Sequence, residues 1–175
     1  MGEYDKVGFT GAIGSTDVTH VKWDCCPLTL QRSYTGKEGY PTIAYQATID
    51  HTGSVLSVTT GFPGAQNDKT IIRYDAAVQR LRCENGTLLD CRDNYLLADN
   101  GYHKWSVLME PTKYPLNVDD TVLSKHLESV RKDVECFFGI LKGRFGILKF
   151  PILFRIRERI DNVFFTCCIL QTCCM

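Results

Sequence analysis

The stretch Tyr95–His103, YLLADNGYH, carries an apolar run straight into a carboxylate and then into a turn. Asp99 is thereby delivered to the last position of a buried strand. Asp17 lies inside a second strand-like stretch, GAIGSTDVTHVKW. Glu135 follows Val134 on the border of a helical apolar stripe, where it can look toward a sheet. Side-by-side carboxylates repel unless a cation lies between them. Two aspartates on strands and a glutamate on a late helix suit divalent cations with hard-oxygen preference, Mg²⁺ or Mn²⁺. Two such ions can activate a water or a 3′-hydroxyl and stabilise the leaving oxygen of a phosphodiester.

Each acid has an ordinary reading as well. Asp and Asn before Gly form turns. Asp17 reads equally as a turn or strand-end acid. Glu135 reads as a solvated helix residue paired with Arg131 or Lys132, and Glu128 competes for its inward position. The joint pattern carries more weight than any one member.

The elements that must position these acids follow from periodicity. Residues 9–23 suggest a first strand, and Thr42–Ile49 alternates as a second. Asp50-His51-Thr52-Gly53 makes a turn into a hairpin partner over Ser54–Thr60. CCPLTLQRSYTGKEGYP reads as a loop. Asn67 or Asp68 caps a helix running to about Arg82. Asn94–Ala98 is a fourth strand and Val107–Met109 a fifth, and EPTKYPLNVDD is a loop. From Ser124 to about Lys142, Leu127, Val130, Val134, Phe137, Phe138 and Leu141 form one apolar helical stripe. A final helix is expected over Ile156–Leu170. A crossover helix returning to a strand parallel with the first gives a mixed sheet with the first and fourth strands adjacent. Asp17 and Asp99 then face one another.

Composition sets bounds on this reading. The 175 residues suffice for one domain with a sizeable core. Twenty basic and twenty acidic residues balance, so no global basic field announces a nucleic-acid partner. From Lys125 to Asp161, nine Lys/Arg against five Asp/Glu leave a local charge of +4. That asymmetry points to an anionic partner, or to a solvated helix face. The nine cysteines fall largely in adjacent pairs without zinc spacing, and no signal peptide opens the chain. They read as reduced, mostly buried residues of an intracellular protein. The sequon at Asn85 has no meaning in that compartment. The apolar tail NVFFTCCILQTCCM is too short to span a membrane.

Four segments in order also resemble a known family: GAIGSTDVTHVKW, GYPTIAYQATIDHTGSVLSVTTGFPGAQNDKTI, LLADNGY and VRKDVECFFGILKGRFGIL. The series is similar to that of PIF/Harbinger-type transposases and their domesticated nuclease relatives, over about residues 8–170. Thirty-five residues separate Asp99 from Glu135, as in that family. The resemblance implies an α/β, RNase H-like fold: a mixed central sheet flanked by helices, here one domain over 1–175. It implies a catalytic and metal-binding triad of Asp17, Asp99 and Glu135, served by Mg²⁺ or Mn²⁺, two ions in all. The implied activity is a metal-dependent DNA endonuclease or transposase core. A catalytically silent remnant, or a domesticated module that binds DNA or protein, is the alternative. DNA is the implied partner, a separate Myb-like DNA-binding protein a further one, and the nucleus the implied compartment.

Departures from the family matter. Its His-Asp reads Asn67-Asp68 here, and helix capping is the plainer role for Asp68. A His-Asn in the last helix reads Gln171-Thr172. Full-length relatives carry a helical N-terminal region before the first strand, so an isolated core truncated at both ends is expected. Lys142 and Arg144 are candidates for phosphate contact. His20 and His103, each near a triad aspartate, could orient a carboxylate, although a structural hydrogen bond is the more ordinary role. Trp23 and Trp105 could stack on bases, with core packing as the default.

Overall fold

In the computed structural model, residues 3–82 and 94–173 are described. Cys83, Cys91, Cys174 and the Asn85 sequon lie outside them. The elements in order are α1 (Glu3–Lys6), β1 (Ala12–Lys22), α2 (Leu28–Tyr34), β2 (Thr42–Ile49), β3 (Val55–Val58), β4 (Phe62–Pro63), α3 (Asp68–Ile71), a 3₁₀ turn (Ile72–Tyr74) and α4 (Ala76–Arg82). Then follow β5 (Tyr95–Leu97), β6 (Leu108–Met109), α5 (Val118–Arg144), α6 (Gly146–Lys149) and α7 (Arg157–Cys173).

The strands form one mixed sheet in the order β3-β2-β1-β5-β6, with β4 on β2. β2 runs antiparallel to β1 and β3, whereas β1, β5 and β6 are parallel. This order, with helices on both faces, is that of an RNase H-like α/β fold. The β2–β3 turn is set by chain chemistry: Asp50 Oδ1 accepts from the Thr52 and Ser54 amides at 2.8 and 2.9 Å, and Gly53 takes φ +84°.

Alternation along the strands divides the core. Val21 and Trp23 of the β1 segment, with Ile43, Tyr45, Ala47 and Ile49 of β2, pack against Val134, Phe137 and Leu141 of α5 and Phe164 of α7. Leu96, Ala98, Ile72 and Val78 make a second cluster on the opposite face. Leu97 joins Leu127 of α5, Tyr4 and Phe9 in a third. Beneath α4 the sheet is polar. Gln46 donates to Thr16 Oγ1 and Asp75 Oδ2, and Thr48 donates to Thr16 Oγ1.

Several boundaries differ from those the sequence suggests. The first strand starts at Ala12 because Gly8 and Gly11 turn the chain at positive φ. The stretch read as a loop after Cys26 contains α2, which Pro27 starts with its fixed φ. The helix expected to run to Arg82 breaks at Asp75, whose Oδ1 accepts from the amides of Ala77 and Val78 and begins α4 afresh. α5 begins six residues before Ser124, at Val118. There Asn117 accepts from the Asp120 amide at 2.7 Å, and Asp119 and Asp120 sit in the positive first turn.

Candidate active site

Register brings the first two acids level. In the parallel β1–β5 pair, Gly14 lies opposite Leu96 and Ser15 opposite Leu97. Two more residues along each chain reach Asp17 and Asp99. Because side chains alternate with period two, both share the face of Ser15 and Leu97, the one covered by α5. Asp17 remains within β1, while Asp99 lies just past β5, exposed, with its Oδ1 accepting from the Asn100 amide at 2.7 Å.

α5 supplies the third acid together with a cation. Arg131 and Glu135 are one turn apart on the side that faces β1. The Arg131 guanidinium donates from Nη1 to Asp17 Oδ2 at 3.2 Å and from Nη2 to Glu135 Oε1 at 2.6 Å. Its side chain is only 10% exposed, against 22% for Asp17 and 48% for Glu135. Glu135 is exposed and makes the helical i,i+4 ion pair with Arg131, and it reaches Asp17 only through that guanidinium. Glu128 is exposed.

A fourth acid joins them. The cap of α3 is Asn67, whose Oδ1 accepts from the Thr70 amide at 2.9 Å. The capping role expected of Asp68 is therefore filled by its neighbour. A Cβ on Gly101 would stand 3.5 Å from Asp68 Oδ2, which puts this carboxylate against the loop that follows Asp99. The signal for it in the sequence was the Asn-Asp pair itself: only one of two adjacent polar residues is needed as a cap.

Burial raises the Asp17 carboxyl above its ordinary value; the Val18 amide and Arg131 pull it down, while Asp68 and Asp99 push it up. Asp68 is likewise raised by burial and by Asp99, against Lys37 and His20. Arg131 is raised despite its burial, because Asp17, Glu135 and Asp99 hold its charge. The Tyr102 hydroxyl, buried beside Asp17, Asp68 and Asp99, is pushed well up, chiefly by desolvation.

The donor set is entirely carboxylate oxygen, the type Mg²⁺ and Mn²⁺ take, and a cation would offset both the desolvation and the repulsion that raise Asp17 and Asp68. In chemistry the residues fit a divalent metal. Among the described residues, however, no three of His, Cys, Asp and Glu converge closely enough to hold one. Arg131 is the cation that bridges Asp17 and Glu135.

The other candidates take definite places. Lys142 is half-buried and donates to the His20 carbonyl at 2.9 Å, and burial lowers its pKa. Arg144 donates to Gln171 Oε1 at 3.2 Å. His20 Nδ1 meets Thr42 Oγ1 at 2.9 Å, and Arg73 donates to His103 Nε2 at 3.0 Å. Trp23 is core, its Nε1 donating to the Phe154 carbonyl. Trp105 stacks on His103 with centroids 4.9 Å apart and carries Arg82 over its ring at 3.7 Å. The described cysteines are free thiols. Cys26, Cys167 and Cys168 are buried, Cys25 is intermediate, and Cys136 and Cys173 are exposed. Among the described residues no helix is long and apolar enough to cross a membrane.

Comparison with known proteins bears on the same stretch of chain. It is 22% identical over 181 residues to "Protein ALP1-like" of Arabidopsis thaliana, an alignment covering 97% of this chain and 44% of that protein. The chain thus spans less than half the length of this curated relative. No solved structure matches it. The family model described as "Plant transposon protein" matches residues 2–175. With that match over nearly its whole length, the chain belongs to the plant transposon protein family and is a Harbinger-type transposase-like DDE domain.

Proposed function

We propose that this chain is the catalytic core of a metal-dependent DNA endonuclease or transposase. The observation that carries the reading is the register that sets Asp99 level with Asp17, with Glu135 brought to Asp17 through Arg131. Asp17, Asp99 and Glu135 would hold two divalent ions, Mg²⁺ or Mn²⁺, with Asp68 adding negative charge beside them. When bound, the metal supplies activation of a water or a 3′-hydroxyl and charge stabilisation at the leaving oxygen. The chain's own part is placement. β1 fixes Asp17, the end of β5 fixes Asp99, and α5 carries Glu135. DNA is the substrate, the nucleus the site of action, and a Myb-like DNA-binding protein the partner that directs it.

A second reading rests on one observation. Arg131 already pairs with both Asp17 and Glu135, as it would in a catalytically silent module that keeps the fold and binds DNA or protein. Calorimetric titration with Mn²⁺ and a plasmid-nicking assay separate the two. Metal binding with nicking, both lost in Asp99→Asn, supports the nuclease. A folded wild type that neither binds metal nor nicks leaves the silent module.

A further inference from the structure

Beside the acid cluster lies a cleft of about 730 Å³ that the catalytic reading does not use. It opens at Asn100, the residue after Asp99, and the buried Tyr102 forms part of its wall. The Tyr102 hydroxyl lies within electrostatic range of Asp17, Asp68 and Asp99, so cleft and acid cluster share a wall. Three ammonium groups line the cleft, those of Lys69, Lys104 and Lys113. Tyr114, 76% exposed, offers an aromatic ring at its rim. One acid lines it: Glu110, whose Oε1 is shielded from solvent without a hydrogen-bond partner and whose carboxyl lies within electrostatic range of Lys104 and Lys69.

We propose that this cleft is a binding site for single-stranded nucleic acid, seating unpaired nucleotides beside the acid cluster, with Glu110 accepting a hydrogen bond from a base amino group. The proposal rests on the nuclease reading for its DNA partner. Lysines that track phosphates and an exposed aromatic ring are the usual parts of a single-strand groove. The volume falls in the range of sites for one ligand-sized group, about 300–1,000 Å³, which suits splayed nucleotides rather than a paired duplex. A carboxylate repels phosphate, so Glu110 is misplaced for backbone contact. It is well suited to an exocyclic amine, such as N4 of cytosine. A buried acceptor without a partner is costly, and a base amine would satisfy it. Trp105 does not serve as the stacking surface, because His103 and Arg82 already cover its ring. Tyr114 takes that role: the Lys113 ammonium stands off its ring at 5.8 Å and the side chain stays exposed.

The test uses the whole chain and fluorescently labelled oligo-dC and oligo-dT, titrated in EDTA so that binding is independent of cleavage. Oligo-dC is expected to bind more tightly than oligo-dT, which has no exocyclic amine. Lys104→Ala with Lys113→Ala should weaken both by about tenfold, and Tyr114→Ala by a similar factor, the scale of one stacked base. Glu110→Ala should abolish the preference for oligo-dC without weakening oligo-dT binding. Circular dichroism confirms that each variant is folded. Equal binding by wild type and the double lysine variant, or no difference between oligo-dC and oligo-dT, overturns the proposal. Magnesium-dependent plasmid nicking is run in parallel. Nicking without oligonucleotide binding overturns the cleft alone, and oligonucleotide binding without nicking overturns the nuclease reading alone.

Discussion

Asp17 and Glu135, 118 positions apart in the sequence, are held by the two terminal nitrogens of one guanidinium, that of Arg131. Two acids that would otherwise repel are thereby bridged by one cation and held near one another before any metal arrives. Arg131 is itself largely buried, so its charge is well shielded from solvent.

Replacing Arg131 with Met should destabilise the metal-free protein by about 1–3 kcal/mol. Removing one partner of a buried pair costs more than that, and the exposure of Glu135 reduces it. Urea melts in EDTA measure the loss. Mn²⁺ should restore more stability to Arg131→Met than to wild type, because the variant leaves the two acids without a cation. Equal gains in the two proteins would show that the metal and Arg131 do not serve the same carboxylates.

Asp99→Asn should abolish nicking and leave the fold intact. The side chain is exposed and accepts only from the Asn100 amide among the hydrogen bonds described, and an amide oxygen can still accept that bond. In EDTA the variant should melt no lower than wild type, since removing one charge relieves the repulsion on Asp17 and Asp68. Undiminished nicking by Asp99→Asn would remove this residue from the mechanism.

Asp75 gives a pH dependence remote from the acid cluster. Fully buried, its carboxyl is raised from 3.8 chiefly by desolvation, against the amides of Val78 and Ala77 and the Ser57 hydroxyl. The folded protein keeps this proton to higher pH than the unfolded chain. The stability it contributes is therefore complete below 3.8 and lost as pH rises through the folded value. Asp75→Asn removes that titration. Gln46 Oε1 is buried without a partner, and turning the Gln46 amide over presents it to the new Asn amide. Relative to wild type, the variant should gain stability as pH rises from 3.8 upward in denaturant melts. A difference constant across that range would mean that the buried carboxyl does not titrate there.

Duplex DNA should bind weakly, with little sequence preference and a steep loss on adding salt. Lys142 and Arg144 are engaged by His20 and Gln171, which leaves the exposed Lys125, Lys132, Lys149, Arg155 and Arg159 of the +4 segment to meet phosphates. Such contacts release counterions and read no bases. Titrating two unrelated duplexes at low and moderate salt checks this. A preference above about tenfold, the worth of one good base contact, would show that the chain reads duplex sequence by itself.

The hairpin of β2 and β3, the strand carrying Asp17 and the apolar stripe of α5 were legible because burial imposes a period of two or of 3.6 on their residues. α2 was hidden by its lack of such a stripe: Leu28 and Leu30 are exposed and only Tyr34 is buried. The start of α5 was hidden in the same way, since Val118, Val122 and Leu123 face solvent. The Asn117 cap was the usable sign there. Asp17, Asp99 and Glu135 stood out by residue type and order. Asp68 and Arg131 did not, because their roles follow from what the fold places opposite them: a capping Asn that frees one, and a β1 carboxylate that recruits the other.

β5 is three residues long and its outer neighbour β6 only two, whereas β1 is paired with β2 from Ser15 to Lys22. The acid cluster therefore straddles a firm half and a soft half of the sheet. On the soft side, the amides of Leu96 and Ala98 are held by the carbonyls of Val107 and Met109. So short a ladder opens by local fluctuation at lower free energy than the long β1–β2 pairing. In hydrogen exchange those two amides should lose protection well before the amides of β2. Asp99 would then swing on a hinge while Asp17 stays fixed, so the distance between the two carboxylates is set by the breathing of one edge of the sheet.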